Sequence, residues 1–148
     1  MGIADTVEKE VTNLRPSITV STLDAERLER LLDAIPDAAF PGKADLVGEL
    51  ERAALVAPED VPPTVVTMNS TVRFRVESAP GELELTLVYP KDADAAGGKL
   101  SILAPVGSAL LGLSQGDEIA WPKPGGGELK VRIVEVVYQP ERAGIYHH

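Results

Sequence analysis

Between about residues 21 and 57, apolar residues in this chain recur every three or four positions; from about residue 72 they alternate. That one change of period constrains the fold more than any other feature. A period near 3.6 lays side chains in a stripe along a helix, and a period of two puts them on one face of a strand. No single regular element satisfies both. The chain is therefore expected to be α+β, with helices first and an antiparallel sheet after them.

The helical part divides in two. Residues 21–35, STLDAERLERLLDAI, put Leu28, Leu31, Leu32 and Ile35 on one stripe, with Arg27, Glu29, Arg30 and Asp33 on the other face. Ser21, Thr22 or Asp24 can cap the start, and Pro36 stops the helix. The loop PDAAFPGKAD follows. A second helix is predicted over Lys43–Ala57, with Leu46, Val47, Leu50 and Ala54 inward and Pro58 at its end. Two short helices joined this way make an antiparallel hairpin over residues 21–57. At 1.5 Å per residue each helix is about 18–22 Å long. Residues 1–20 lack a pattern and are expected to form an arm. Residues 58–64, rich in proline, are expected to be a linker.

Beyond the linker, Val72, Phe74 and Val76 alternate with Arg73, Arg75 and Glu77. Leu83, Leu85 and Leu87 alternate with Glu82, Glu84 and Thr86, and Ala79-Pro80-Gly81 is the turn between the two runs. Such strands put one face on a core and one in water, so Arg73 and Arg75 are expected to point outward. KLSILAP is a further short strand, and residues 106–112 suit one or two helical turns closed by Gly112, with Leu110 and Leu111 in the core. GDEIAW is a strand entered by a Gly-Asp turn. ELKVRIVEVVY is the last strand, with Leu129, Val131 and Ile133 opposite Lys130 and Arg132.

The run PKPGGG, residues 122–127, joins those last two strands. A phosphate loop needs glycines leading into a helix N-terminus, whose amides and dipole hold the anion. These glycines lead into an eleven-residue strand, and neither GxxxxGK[ST] nor GxGxxG occurs. They are read as hairpin turn chemistry, and no cofactor site is expected.

The absence of cysteine removes disulfides, thiolate metal sites and thiol nucleophiles. The two histidines, His147 and His148, are adjacent at the terminus. They lack the spacing of a helical metal pair and can complete no Ser/His/Asp set. No catalytic or metal-binding residue is therefore expected. Neither a secretory signal nor an apolar run of about 18 residues is present, so no membrane contact and a cytoplasmic location are expected. Net charge is −9, and the acidity is concentrated early: six basic and thirteen acidic residues precede position 61, against eight and ten after it. Such a chain lacks the electrostatic footprint of direct nucleic-acid binding. Its charge serves solubility or attracts a basic protein surface.

The C-terminal half carries a series of motifs in order: VTMNSTVRF, SILAPVGSALLG, GDEI, PGGG and VEVVY. Together they resemble the C-terminal domain of the bacterial transcript-cleavage factors, the Gre family. With DAERLERLL and PEDVPPTVVTMNS included, the resemblance is to short-hairpin members of that family and spans roughly residues 20–146. It implies a coiled-coil hairpin followed by an FKBP-like antiparallel sheet domain with one short helix, over residues 65–146. It also implies a partner, RNA polymerase, gripped by a monomer at the secondary-channel rim of its largest subunit. The stretch equivalent to the docking element is Ala104, Pro105, Val106 and Ser108, with Ala104 where many relatives have serine. Cleavage factors carry D-x-x-E-N-x-E-Y at the hairpin tip to help hold a magnesium ion. The tip here reads IPDAAFPGKADLVGELE, and the acidic residues around it, Asp33, Asp37 and Asp45, do not match that spacing. The one D-x-x-E before residue 60 is Asp5/Glu8, in the arm. Family members that thread the channel have helices more than twice as long. The resemblance therefore implies a non-catalytic regulator that competes with cleavage factors at the channel mouth. The alternative is a cleavage factor donating tip carboxylates. An adaptor for another partner also fits such a fold. A prolyl isomerase would need an aromatic lining, for which the C-terminal half offers only Phe74, Tyr89, Trp121, Tyr138 and Tyr146.

Overall fold

A computed structural model describes residues 16–77, 79–123 and 125–146. The arm over residues 1–15, with Asp5 and Glu8, and the terminal His147 and His148 lie outside the described residues. The chain forms strand β1 (Thr19–Ser21), helices α1 (Thr22–Ala34) and α2 (Lys43–Arg52), and strand β2 (Ala54–Val56). There follow β3 (Thr71–Val76), β4 (Leu83–Val88), β5 (Lys99–Ser101), helix α3 (Pro105–Leu110), β6 (Glu118–Pro122) and β7 (Glu128–Tyr138). The fold is α+β, as the change of period requires.

Helix α1 starts where Ser21, in extended conformation, accepts the Asp24 N–H on its hydroxyl at 3.0 Å. Leu28 and Leu32 are buried from this helix, while Leu31 and Ile35 are half-buried at its margin. Helix α2 ends at Arg52, not at residue 57. The next residues leave as β2 and pair in parallel with β1, Thr19 opposite Ala54 and Ser21 opposite Val56. Ala54, expected on the helix stripe, is exposed on this strand. Its N–H is donated to the Ile18 carbonyl at 2.9 Å, so a tertiary partner overrides local helix propensity. The same pairing corrects the expected arm at its end. Ile18 and Val20 are core residues, and the Thr19 N–H is donated to the Gly112 carbonyl at 3.2 Å. Gly112 adopts φ +80°, and a Cβ there would lie 2.7 Å from Ile18 Cβ and 3.2 Å from the Thr19 carbonyl oxygen. Only glycine admits β1 so close.

The large sheet has the order β5-β4-β3-β7-β6. Three of its junctions are antiparallel, but β4 and β5 run parallel, which corrects the expectation of a wholly antiparallel sheet. Residues 89–98 carry the chain back across the end of β4 before β5 begins, where a tight turn would have reversed it. The inward set Val72, Phe74, Leu87, Ile119, Trp121, Val131, Ile133 and Val136 is buried. Leu83 shares that face but is 40% exposed at the start of β4. The register between β3 and β7 shifts twice, so Arg73 faces Glu135 while Phe74 faces Ile133. On the outer face Arg73 donates to Glu135 at 2.7 Å, and Arg75 to Glu82 at 3.2 Å. The three glycines of PKPGGG have φ of +88°, +111° and +80° and lead straight into β7. The turn reading holds, since left-handed backbone favours glycine.

One apolar core runs through both halves. Leu28, Leu32, Phe40 and Leu46 from the helical part belong to the same cluster as Met68, Phe74, Leu110 and Trp121. The connector is tied down as well. Val61 is buried, and the Gln139 amide donates to the carbonyls of Pro62 and Val65 at 2.8 and 2.7 Å. Among the described residues no helix is long and apolar enough to cross a membrane.

Candidate functional site

The docking stretch opens α3. Ala104 is the N-cap residue with no side-chain cap bond, and Pro105 takes the first helical position, where it has no donor to lose. Ala104, Pro105 and Val106 are half-buried and keep part of their surface in solvent. Ser108 is buried, and its hydroxyl donates to the Ile102 carbonyl at 2.6 Å, fixing α3 to the chain that precedes it.

The loop between α1 and α2 lies against this element. Phe40, Pro41, Gly42 and Asp45 on one side, and Leu103, Pro105, Ser108, Trp121, Pro122 and Lys123 on the other, enclose a cleft of about 140 Å³. Phe40 is almost wholly buried there. Lys43 holds the loop shut at its base. Its ammonium group donates to the Ile35 carbonyl at 2.8 Å and pairs with Asp37 at 3.0 Å.

The three acidic residues expected at a hairpin tip are thereby separated. Asp33 is exposed beside a groove between α1 and α2 lined also by Glu29, Val47 and Glu51. Asp37 is exposed and paired with Lys43, and Asp45 lines the cleft next to Pro105. Among the described residues no three His, Asp or Glu side chains converge to hold a metal ion.

Comparison with known proteins shows the family of the chain. The model of the family described as "Transcription elongation factor, GreA/GreB, C-term" matches residues 61–138, and that described as "Rnk N-terminus" matches residues 16–56. The chain belongs to the GreA/GreB family, with an Rnk-type N-terminus. A protein of Escherichia coli strain K12 named "Regulator of nucleoside diphosphate kinase" is 47% identical over 133 residues, 89% of this chain and 97% of that protein. "Transcription elongation factor GreA" of Chlorobium phaeobacteroides is 36% identical over 94 residues, 63% of this chain and 58% of that protein. A solved structure titled "Prokaryotic transcription elongation factor GreA/GreB from Nitrosomonas europaea" is 69% identical and superposes with a TM-score of 0.67 over 84% of this chain and 100% of its own.

In this GreA/GreB-family chain the joint between the two matched regions is polar, and sequence reasoning missed it. Asp24 on α1 is wholly buried. One of its carboxylate oxygens accepts the Met68 N–H at 3.2 Å, and the other lies 3.5 Å from the Tyr89 hydroxyl. Burial pushes the Tyr89 phenol far above its ordinary range, and the adjacent Asp24 carboxylate raises it further. Next to Met68, Asn69 holds a left-handed conformation with φ +67°. On the far side of this loop the Thr67 hydroxyl donates to buried Glu141 at 2.8 Å. The available signal was spacing. Asp24 stands four residues before Leu28 and eight before Leu32, on the apolar stripe, where a carboxylate needs a buried donor.

Proposed function

We propose that this chain is a transcription regulator that binds RNA polymerase at the rim of the secondary channel through its Pro105 face and competes there with Gre-type factors without cleaving RNA. The observation that carries this reading is the size and placement of the helical pair. Thirteen and ten residues make helices of about 20 and 15 Å, and their connecting loop is folded onto α3. Carboxylates on such a pair do not reach the depth of a channel, and Asp33, Asp37 and Asp45 do not act as one group. The relatives' names support a role in transcription elongation and in the regulation of nucleoside diphosphate kinase. In this reading the latter effect runs through transcription, in the cytoplasm. Residues 65–146 serve as an FKBP-like docking domain, residues 21–57 as a short coiled coil, and the protein acts as a monomer. Apolar anchors dominate protein interfaces, which favours Pro105 and Val106 over their polar neighbours.

The test is retention of core RNA polymerase by the immobilised full-length chain, followed by displacement of a Gre-type factor. Wild type is expected to retain polymerase, Pro105→Asp to lose it, and a backtracked elongation complex with magnesium to keep its RNA intact. Failure of the wild type to retain polymerase removes the docking reading. RNA shortening that Asp37→Ala or Asp45→Ala abolishes removes the non-catalytic one.

A further inference from the structure

A groove of about 680 Å³ lies between α1 and the short helical turn, Pro90–Asp92, that follows β4. Arg27 and Leu31 line it from the helix, and Tyr89, Pro90 and Lys91 from the turn. Its size falls within the roughly 300–1,000 Å³ of small-molecule sites. Its charge runs against that of the molecule. The chain carries −9, the groove between α1 and α2 is rimmed by Glu29, Asp33 and Glu51, and the cleft beside Pro105 has one charge of each sign. This groove is lined by two cations and no carboxylate. The neighbouring acids on α1 are engaged elsewhere: Glu26 pairs with Arg30 at 2.6 Å, and Asp24 is wholly buried and accepts the Met68 N–H. Lys91 is exposed and, among the described residues, forms no ion pair. Arg27 is half-buried beside the Tyr89 phenol, whose pKa is raised by burial and by Asp24 and lowered by the guanidinium.

We propose that this groove binds a small phosphate monoester carried on a flat apolar body. A guanidinium offers a planar fork of donors and an ammonium a mobile point charge, and together they match the nearly double negative charge of a monoester at neutral pH. A carboxylate would leave one cation unmatched. Leu31, Pro90 and the Tyr89 ring supply apolar surface beside those charges. A long polyanion is repelled by the rest of an acidic chain, so the ligand is a small molecule and not a nucleic acid. Bound there, it ties α1 to the turn after β4, across the joint that Asp24 and Tyr89 already form, and stabilises the seating of the helical part on the sheet. The site uses no residue of the Pro105 face and does not depend on polymerase binding.

The site is tested by amide-resolved NMR titration of the full-length chain with naphthyl phosphate, naphthol and inorganic phosphate, repeated on Lys91→Glu and Arg27→Gln, with melting temperatures taken on each free protein. Naphthyl phosphate is expected to shift the signals of Arg27, Leu31, Tyr89 and Lys91 saturably. It should bind at least about tenfold more tightly than naphthol or phosphate, since only the monoester uses both the cations and the apolar wall. Lys91→Glu reverses an exposed charge and is expected to weaken binding by about tenfold or more at an unchanged melting temperature. Arg27→Gln should weaken it as much; if that variant does not fold, Lys91→Glu alone decides. Naphthyl phosphate binding no better than either of its halves, shifts confined to other residues, or Lys91→Glu staying within about twofold of wild type each overturn the site.

Discussion

Removing the Asp24 carboxylate should weaken the whole molecule, although the residue sits in the first turn of a short helix. In Asp24→Ala the Met68 N–H, wholly buried, loses its acceptor, at a cost of about 1–3 kcal/mol. The Tyr89 hydroxyl loses a long contact of 3.5 Å, adding about 0.5–1 kcal/mol. Relief from desolvating a carboxylate offsets part of this. A net loss of about 2–3 kcal/mol is expected, which lowers the melting temperature of a chain this size by roughly 5–10 °C. The assay is urea unfolding of wild type, Asp24→Ala, Tyr89→Phe and the double variant. Asp24→Asn keeps an amide oxygen for the Met68 N–H and should recover about half of the loss. The cycle should show a coupling of about 0.5 kcal/mol or more between positions 24 and 89. A loss below about 1 kcal/mol in Asp24→Ala would refute the buried-acceptor reasoning, because an unsatisfied Met68 N–H cannot cost so little.

Gly112→Ala should cost about 2 kcal/mol or more, since it combines a left-handed φ of +80° with a Cβ 2.7 Å from Ile18 Cβ; a denaturation midpoint within error of wild type would contradict the close approach of β1. The raised Tyr89 pKa predicts alkaline instability. Below the ordinary tyrosine value of 10.0 the phenol is protonated in both states and has no effect, while above it the unfolded chain loses the proton first, so stability falls as pH rises. The slope from this one group approaches about 1.4 kcal/mol per pH unit, and Tyr89→Phe should remove it when unfolding is followed from pH 9 to 11.5.

Much of the fold was legible because it is written locally. The capped start of α1 at Ser21, the alternation of β3 and β7, the left-handed glycines before Glu128 and the short helix beginning at Pro105 each depend on residues a few positions apart. The family resemblance, rather than any local pattern, singled out the Pro105 stretch as a candidate docking element. It did not show that Ser108 is already engaged by Ile102, nor that the loop carrying Phe40 forms the opposite wall of the cleft.

The sequence by itself determined that two helices precede the main sheet, which face α1, β3 and β7 chiefly bury, and the absence of thiol and helical-histidine chemistry, since side-chain period and composition are properties of the chain alone. Only the tertiary structure decided that residues 54–56 leave the helix for β1, that β5 runs parallel to β4, and that Asp24 lies inside. The reason is that period tells a side chain to be buried but not against what. Backbone donors and buried carboxylates are satisfied by groups far along the chain, Asp24 by Met68 44 residues on and Thr67 by Glu141 74 residues on, and those partners exist only once the chain has closed around one core.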